Sequence, residues 1–322
     1  MHDGRCRVVI EHLYPEVDGG RFPIKRVVGE EVVVSADILA DGHDVVSAVV
    51  CWQRLGTPTW EETAMEHRGN DRWEGSFTVR ETGTYRYTVE GWVDRFLTWQ
   101  HEFRRRHQAG QDLEVHLIDG AGLVDDASRR ASKAEGAALK EFHKAMIEST
   151  TLDRKVAAAL DPSLSAVMLR YSDRRLASRY SKTLQVTVER DRALFSTWYE
   201  RFPRSCSPSP DRHGTLKDMI RLLPEIARMG FDVLYLPPIH PIGEINRKGK
   251  NNTPKSEPGD GGSPCAIGST LGGHTAVHHD LGTLEDYADL CNAAKERGIE
   301  LALDLALQCA PDHPYVKEHP EW

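Results

Sequence analysis

The chain has 322 residues, 39% of them hydrophobic and 28% charged, long enough for two or three domains. Its net charge of -8 argues against nucleic acid or an anionic membrane as the main partner. There is no apolar run of the roughly 18 residues that would span a membrane. The N-terminus, Met1-His2-Asp3-Gly4-Arg5, lacks the apolar core of a signal peptide. Six cysteines, Cys6, Cys51, Cys206, Cys265, Cys291 and Cys309, are scattered without a C-x-x-C pair. That usage fits reduced thiols in a cytoplasm better than a disulfide framework or a zinc site.

The first part reads as short strands. Val32, Val34, Ala36 and Ile38 alternate with Val33, Ser35 and Asp37; Trp73, Gly75, Phe77 and Val79 alternate likewise, as do Tyr85, Tyr87 and Val89. Turn signals at Asp41-Gly42, Gly69-Asn70-Asp71 and Thr82-Gly83 separate them. This pattern predicts an immunoglobulin-like β-sandwich whose strands run to about Leu117. From about Leu123 to Ser181 apolar residues recur at helical spacing, as in Leu139, Phe142 and Met146. Asp161-Pro162 supplies an N-cap acid and a proline for the first helical position. Two or three helices are expected there. Leu184, Val186 and Val188 then alternate again, so the helices read as an insertion into the sandwich, with an independent linker as the alternative.

From about Arg192 strands and helices alternate, which implies right-handed parallel β-α-β units. Ala193 to Tyr199, Asp232 to Leu236 and Glu300 to Leu307 are the expected strands. Thr215 and Thr283 cap the two helices, and Gly230 and Gly298 close them. No internal repeat is visible. These readings set the expected domains: a sandwich over 1–118 and 183–192, a helical segment over 119–182, and the start of a (β/α)8 barrel over 193–322.

The connection from Pro237 to Gly282 far exceeds the roughly 2–6 residues usual between a strand and a helix. In a barrel it lies on the rim that carries active sites. Its Gly243-Glu244-Ile245-Asn246-Arg247-Lys248-Gly249-Lys250-Asn251 nearly matches a phosphate-binding loop, but the spacing fails and Asn251 stands where Ser or Thr should be. Lysines on such a loop can donate to sugar hydroxyls or a phosphate; otherwise they are a solvated face. Asp304 ends an apolar strand, where an unpaired acid is costly. It serves either function or a hydrogen-bond network at the rim. Gln308 can donate and accept at once, which suits a hydroxyl. His274, His278 and His279 invite a metal reading, yet the spacing has no helical context and no metal is expected. Asp312-His313-Pro314 reads as a turn. Trp52, Trp60, Trp73, Trp92 and Trp99 can pack a core or stack on sugar rings.

Several stretches carry a resemblance. They are Phe195-Ser196-Thr197-Trp198-Tyr199-Glu200-Arg201-Phe202-Pro203-Arg204-Ser205, Leu234-Tyr235-Leu236-Pro237-Pro238-Ile239-His240-Pro241-Ile242-Gly243, Asn246-Arg247-Lys248-Gly249-Lys250-Asn251-Asn252, and Leu303-Asp304-Leu305-Ala306-Leu307-Gln308-Cys309-Ala310-Pro311-Asp312-His313-Pro314. Together they resemble the bacterial α-1,4-glucan:maltose-1-phosphate maltosyltransferases of the α-amylase superfamily, through nearly the whole chain. The resemblance implies transfer of a maltosyl unit from α-maltose 1-phosphate to the non-reducing end of an α-1,4-glucan, with release of phosphate and no cofactor. It also implies a cytoplasmic homodimer acting in α-glucan biosynthesis. Lys248 and Gln308 match the family's donor-sugar contacts, and Asp304 belongs to the site's architecture. The nucleophile and acid/base of the family follow its third strand, so neither is expected in this chain, which by itself is expected to be inactive. Many amylases read Asp-x-x-x-Asn-His where this chain has Asp304 to Cys309. Cysteine is a poor ligand for calcium, so a calcium-dependent amylase fits less well. Thr275 and His279 stand where the family would have an acid and a proline. The alternatives are another glucan-active enzyme, a hydrolase or branching enzyme, and a non-catalytic module for glucan binding or dimerisation.

Overall fold

The computed structural model describes residues 5–322; Met1 to Gly4, read above as lacking a leader, lie outside the described residues. The chain divides into two compact units, residues 1–191 and 192–322.

The first unit opens with eight strands: β1 (Val8–Tyr14), β2 (Ile24–Val27), β3 (Glu31–Ala40), β4 (Val46–Arg54), β5 (Glu61–Ala64), β6 (Glu66–Gly69), β7 (Arg72–Thr78) and β8 (Gly83–Val93). Five helices follow: α1 (Arg95–Gln108), α2 (Glu114–Arg130), α3 (Lys133–Glu148), α4 (Leu152–Ala159) and α5 (Pro162–Arg170). Two strands, β9 (Ser178–Arg179) and β10 (Leu184–Glu189), complete it. One sheet has the order β1-β3-β7-β6; the other runs β2-β10-β8-β4-β5, with β9 also on β8. Pairing is antiparallel except between β10 and β2.

The two sheets share one core. Val32, Val34, Ala36 and Ile38 of β3 are at most 1% exposed, and they meet Val50, Tyr85, Tyr87, Val89, Val186 and Val188 from the second sheet. The alternating pattern of the sequence is thus the pattern of burial, because successive side chains of a strand point to opposite faces. β10 returns to pair with β8 after the five helices, so the helical segment is bracketed by strands of one sheet. Leu169 of α5 packs with Val49, Cys51 and Trp92 on that sheet.

The expectation that strands run to Leu117 is corrected: β8 ends at Val93 and helix begins at Arg95. Arg95 to Gln108 is mostly charged or polar, which hides a helical stripe of Phe96, Trp99 and Phe103 at i, i+3 and i+7. Asp94 starts it. Its Oδ1 accepts the Leu97 N–H at 2.9 Å, and its Oδ2 accepts the Ser47 hydroxyl at 3.0 Å. The residue is 2% exposed and so ties α1 to β4. Asp94→Ala removes a cap and leaves a buried hydroxyl unpaired, so urea denaturation of the first unit should show a loss of about 2–3 kcal/mol. Three helices, α3 to α5, lie wholly within the stretch from Leu123 to Ser181 where two or three were expected, together with the end of α2; α1 and the start of α2 stand where strands were expected, and the Asp161-Pro162 start is found as read.

The second unit contains β11 (Trp198–Glu200), α6 (Leu216–Met229), β12 (Val233–Leu236), α7 (Leu284–Glu296), β13 (Glu300–Leu303) and α8 (Pro314–Glu318). The sheet order is β11-β12-β13, all parallel. Thr215 and Thr283 each form a capping box, with Asp218 and Asp286, and Gly230 closes α6 at φ 85°. Leu234, Leu236, Leu301 and Leu303 pack against Met219, Leu223 and Ile226 of α6 and Leu290 and Ala294 of α7.

Two strands are shorter than expected. β11 starts only at Trp198; Leu194 and Phe195 are 70% and 76% exposed and have no sheet face to enter. β13 stops at Leu303 because its partner β12 runs into Pro237-Pro238, which offer no N–H to extend the ladder. Leu305 and Leu307 are consequently exposed rather than in a strand.

Candidate functional site

The ladder register sets the site. Glu200 of β11 lies beside Tyr235 of β12, and Tyr235 beside Ala302 of β13. Their neighbours Tyr199, Leu234 and Leu301 pack towards the helices. Side chains alternate along a strand, so Glu200, Tyr235 and Ala302 share the opposite face. Asp304 follows two residues after Ala302, at the carboxyl end of the sheet. There its backbone N–H donates to Leu236 O at 2.9 Å.

A cleft of about 620 Å³ opens at this end, lined among others by Glu200, Tyr235, Lys248, Asn251, Asn252 and Asp304. The structure therefore brings Lys248 and Asp304 together. Burial, and then a hydrogen bond with Asp304, push the Tyr235 phenol above its ordinary range. Glu200 and Tyr235 were not singled out from the sequence; the signal was present as an acid and a tyrosine at the ends of two short strands. Gln308 is exposed and does not line this cleft.

Residues 237–282 are almost without regular structure and are held by side chains and isolated bridges. Arg247 donates to the carbonyls of Ile242, Gly243, Asp260 and Gly261 at 3.1–3.3 Å. Its neighbour Lys248 is exposed on the loop so fixed, and among the described residues nothing pairs with its ammonium. A Cβ at Gly243 would sit 2.1 Å from Ala310 Cβ, so only glycine lets the loop lie against the segment after β13. Ile267 bridges both Ile242 and Cys309.

The histidines sort differently from the sequence reading. His274 leaves the trio and bonds His313 and the Ala306 carbonyl. His278, His279 and Asp280 have potential ligand atoms within 4.8 Å of one another, but they are consecutive, and the last two are exposed. His278 Nδ1 already accepts the Asp280 N–H. His313, read as part of a turn, is fully buried and caps α8. Burial pushes His240 and His313 below the usual imidazole range and His278 down to about 4. In the unfolded chain these groups take up protons near pH 6.5, before the folded chain does. Stability should therefore be full above about pH 6.5 and decline as pH falls towards about 4. Thermal melts of the second unit at pH 7.5 and pH 5 should show the lower melting temperature at pH 5.

The tryptophans of the first unit are packed. Trp92 and Trp99 are 1% and 8% exposed, Trp52 stacks on Phe77 at 5.1 Å, and Trp73 joins the core. The guanidinium groups of Arg86 and Arg179 lie 4.8 and 4.9 Å from the centroid of the Trp60 ring. Trp52, Trp60 and Trp73 are half-buried.

A parallel sheet with acids and a lysine-bearing loop at its strand ends in one unit, and a β-rich unit with a helical segment as the other, define a multidomain α/β protein with a polar cleft. The chain belongs to the family of α-1,4-glucan:maltose-1-phosphate maltosyltransferases, whose domain N/S model matches residues 6–190. It is 49% identical over 320 residues to the maltosyltransferase of that name from Chlorobaculum tepidum, covering 99% of this chain and 48% of that one. The same enzyme of Myxococcus xanthus is 48% identical, with 98% and 48% covered. The chain thus spans about half the length of the curated relatives it matches. Among solved structures, trehalose-6-phosphate hydrolase of Bacillus licheniformis aligns with a TM-score of 0.28 and 24% identity over 38% of this chain and 19% of its own, too little to define a fold.

Proposed function

We propose that this chain is part of a retaining glycosyltransferase that moves a maltosyl unit from α-maltose 1-phosphate to the non-reducing end of an α-1,4-glucan. The observation that carries the reading is Lys248 on the same strand-end cleft as Asp304, in a chain of this family. In the proposed reaction a carboxylate attacks the anomeric carbon, the bond to the phosphate oxygen breaks, and a carboxylic acid protonates the leaving phosphate. The acceptor hydroxyl then displaces the carboxylate, giving its proton to the same acid/base. Retention needs the two carboxyl groups about 5–5.5 Å apart. We assign both to the part of the relatives that this chain does not span.

In this reading Lys248 and Gln308 hold hydroxyls of the donor disaccharide, and Asp304 fixes the rim through Tyr235. The first unit is an immunoglobulin-like sandwich with the helices inserted between β8 and β9. The second provides the opening units of a (β/α)8 barrel. A homodimer, a cytoplasmic location and a role in α-glucan biosynthesis complete the proposal. No helix among the described residues is long and apolar enough to cross a membrane. Calorimetric titration of the full-length protein with α-maltose 1-phosphate tests the donor site. The expected result is saturable binding that weakens in Lys248→Ala; equal affinity in both proteins would remove Lys248 from the site.

A further inference from the structure

The second unit encloses a pair of hydrogen-bonded imidazoles whose proton positions are fixed by their partners. His313 Nδ1 accepts the Tyr315 backbone N–H at 3.0 Å, so the ring proton is on Nε2. That Nε2 lies 3.1 Å from His274 Nδ1. His274 Nε2 lies 2.7 Å from the Ala306 carbonyl oxygen, which can only accept. The proton of His274 is therefore on Nε2, and its Nδ1 is free to accept from His313. The array runs in one direction, from Tyr315 through His313 and His274 to Ala306, with both rings neutral.

The surroundings are built to the rings. His313 is 0% exposed. A Cβ at Gly268 would sit 2.0 Å from His313 Cδ2, and one at Gly273 2.3 Å from its Nε2. Gly268 also has φ +100°, a conformation side chains avoid. The loop backbone thus closes directly onto the imidazole. His240 flanks His274 with ring centroids 5.6 Å apart.

The array joins two segments that the donor site needs in register. His274 is on the same long loop as Lys248. Ala306 lies midway between Asp304 and Gln308. Beyond Gln308, the Ala310 N–H donates to Ile267 O of that loop at 2.7 Å. The stretch bearing Gln308 is therefore clamped on both flanks by the loop that bears Lys248.

We propose that the His274–His313 couple is a positioning device for the donor site, setting the Gln308 segment against the Lys248 loop. The proposal rests on the donor reading of Lys248 and Gln308. Gln replaces both functions of His274, its amide N–H donating to Ala306 and its carbonyl accepting from His313, whereas Phe replaces neither. In the full-length protein, His274→Phe should raise the donor KM about tenfold or more while kcat changes less than about twofold, and His274→Gln should restore KM to within about threefold of wild type. Hydrogen exchange at the Ala310 amide should lose protection by about tenfold in His274→Phe and keep it in His274→Gln. A His274→Phe protein with wild-type donor KM, or a Gln variant as impaired as the Phe variant, overturns the proposal. If Gln308→Ala leaves the donor KM unchanged, it is the donor reading that fails. Exchange at Ala310 then decides the clamp alone: lost protection that Gln restores upholds it, and unchanged protection overturns it.

Discussion

Phe103→Ala should cost the first unit about 3–5 kcal/mol, the range for removing a buried aromatic ring. Phe103 is 1% exposed, and its ring stacks on Trp99 with centroids 5.1 Å apart. Trp99 cannot move into the space left behind. Its Nε1–H donates to His116 O at 2.7 Å, and a Cβ at Gly120 would come within 2.0 Å of its Cζ2, so α2 already presses on the indole. A cavity that its neighbours cannot fill carries the full penalty. For a unit of this size a kcal/mol corresponds to about 2–4 °C, so the melting temperature read by circular dichroism should fall on the order of 10 °C. A fall of less than about 2 °C would mean that α1 does not hold the helical core together.

Lys248→Ala and Gln308→Ala should each lower the efficiency of maltosyl transfer by about one to two orders of magnitude, from a loss of about 1–3 kcal/mol per desolvated hydrogen bond. Neither change should move the melting temperature. Lys248 is exposed and has no partner among the described residues, and Gln308 is exposed beyond the end of β13, so truncation removes no packing. Steady-state kinetics with α-maltose 1-phosphate varied at saturating acceptor checks this. Wild-type kcat/KM in both variants would sink the assignment of either residue to the donor.

Much of the fold was legible because its strands are half-buried. Burial that alternates with period two writes itself directly into Val32, Val34, Ala36 and Ile38, and into Leu184, Val186 and Val188. Capping was legible for the same kind of reason, since Thr215 and Thr283 use side-chain chemistry that only a helix start rewards. What misled was charge. Arg104, Arg105 and Arg106 made α1 look unlike a helix with a buried face, though only the stripe of Phe96, Trp99 and Phe103 decides the matter. The end of β13 depended on a partner more than sixty residues away: Pro238, not any residue of Glu300 to Leu307, lacks the N–H that would continue the ladder past Asp304. Lys248 and Asp304, which line one cleft, were both singled out from the sequence as a lysine and an acid on rim segments, whereas Gln308, singled out with them, does not line it. The His274–His313 bond was not, because nothing local to Asp312-His313-Pro314 tells that a loop thirty-nine residues upstream will close over the ring.

Phosphate release measured against reducing-end formation tests the central claim most directly. Full-length protein is given α-maltose 1-phosphate alone, maltohexaose alone, and both together. The account predicts phosphate released in proportion to enzyme only when both are present, with the glucan lengthened by two glucose units at its non-reducing end. New reducing ends from maltohexaose alone, with no phosphate released from the mixture, would make the protein a hydrolase and contradict it.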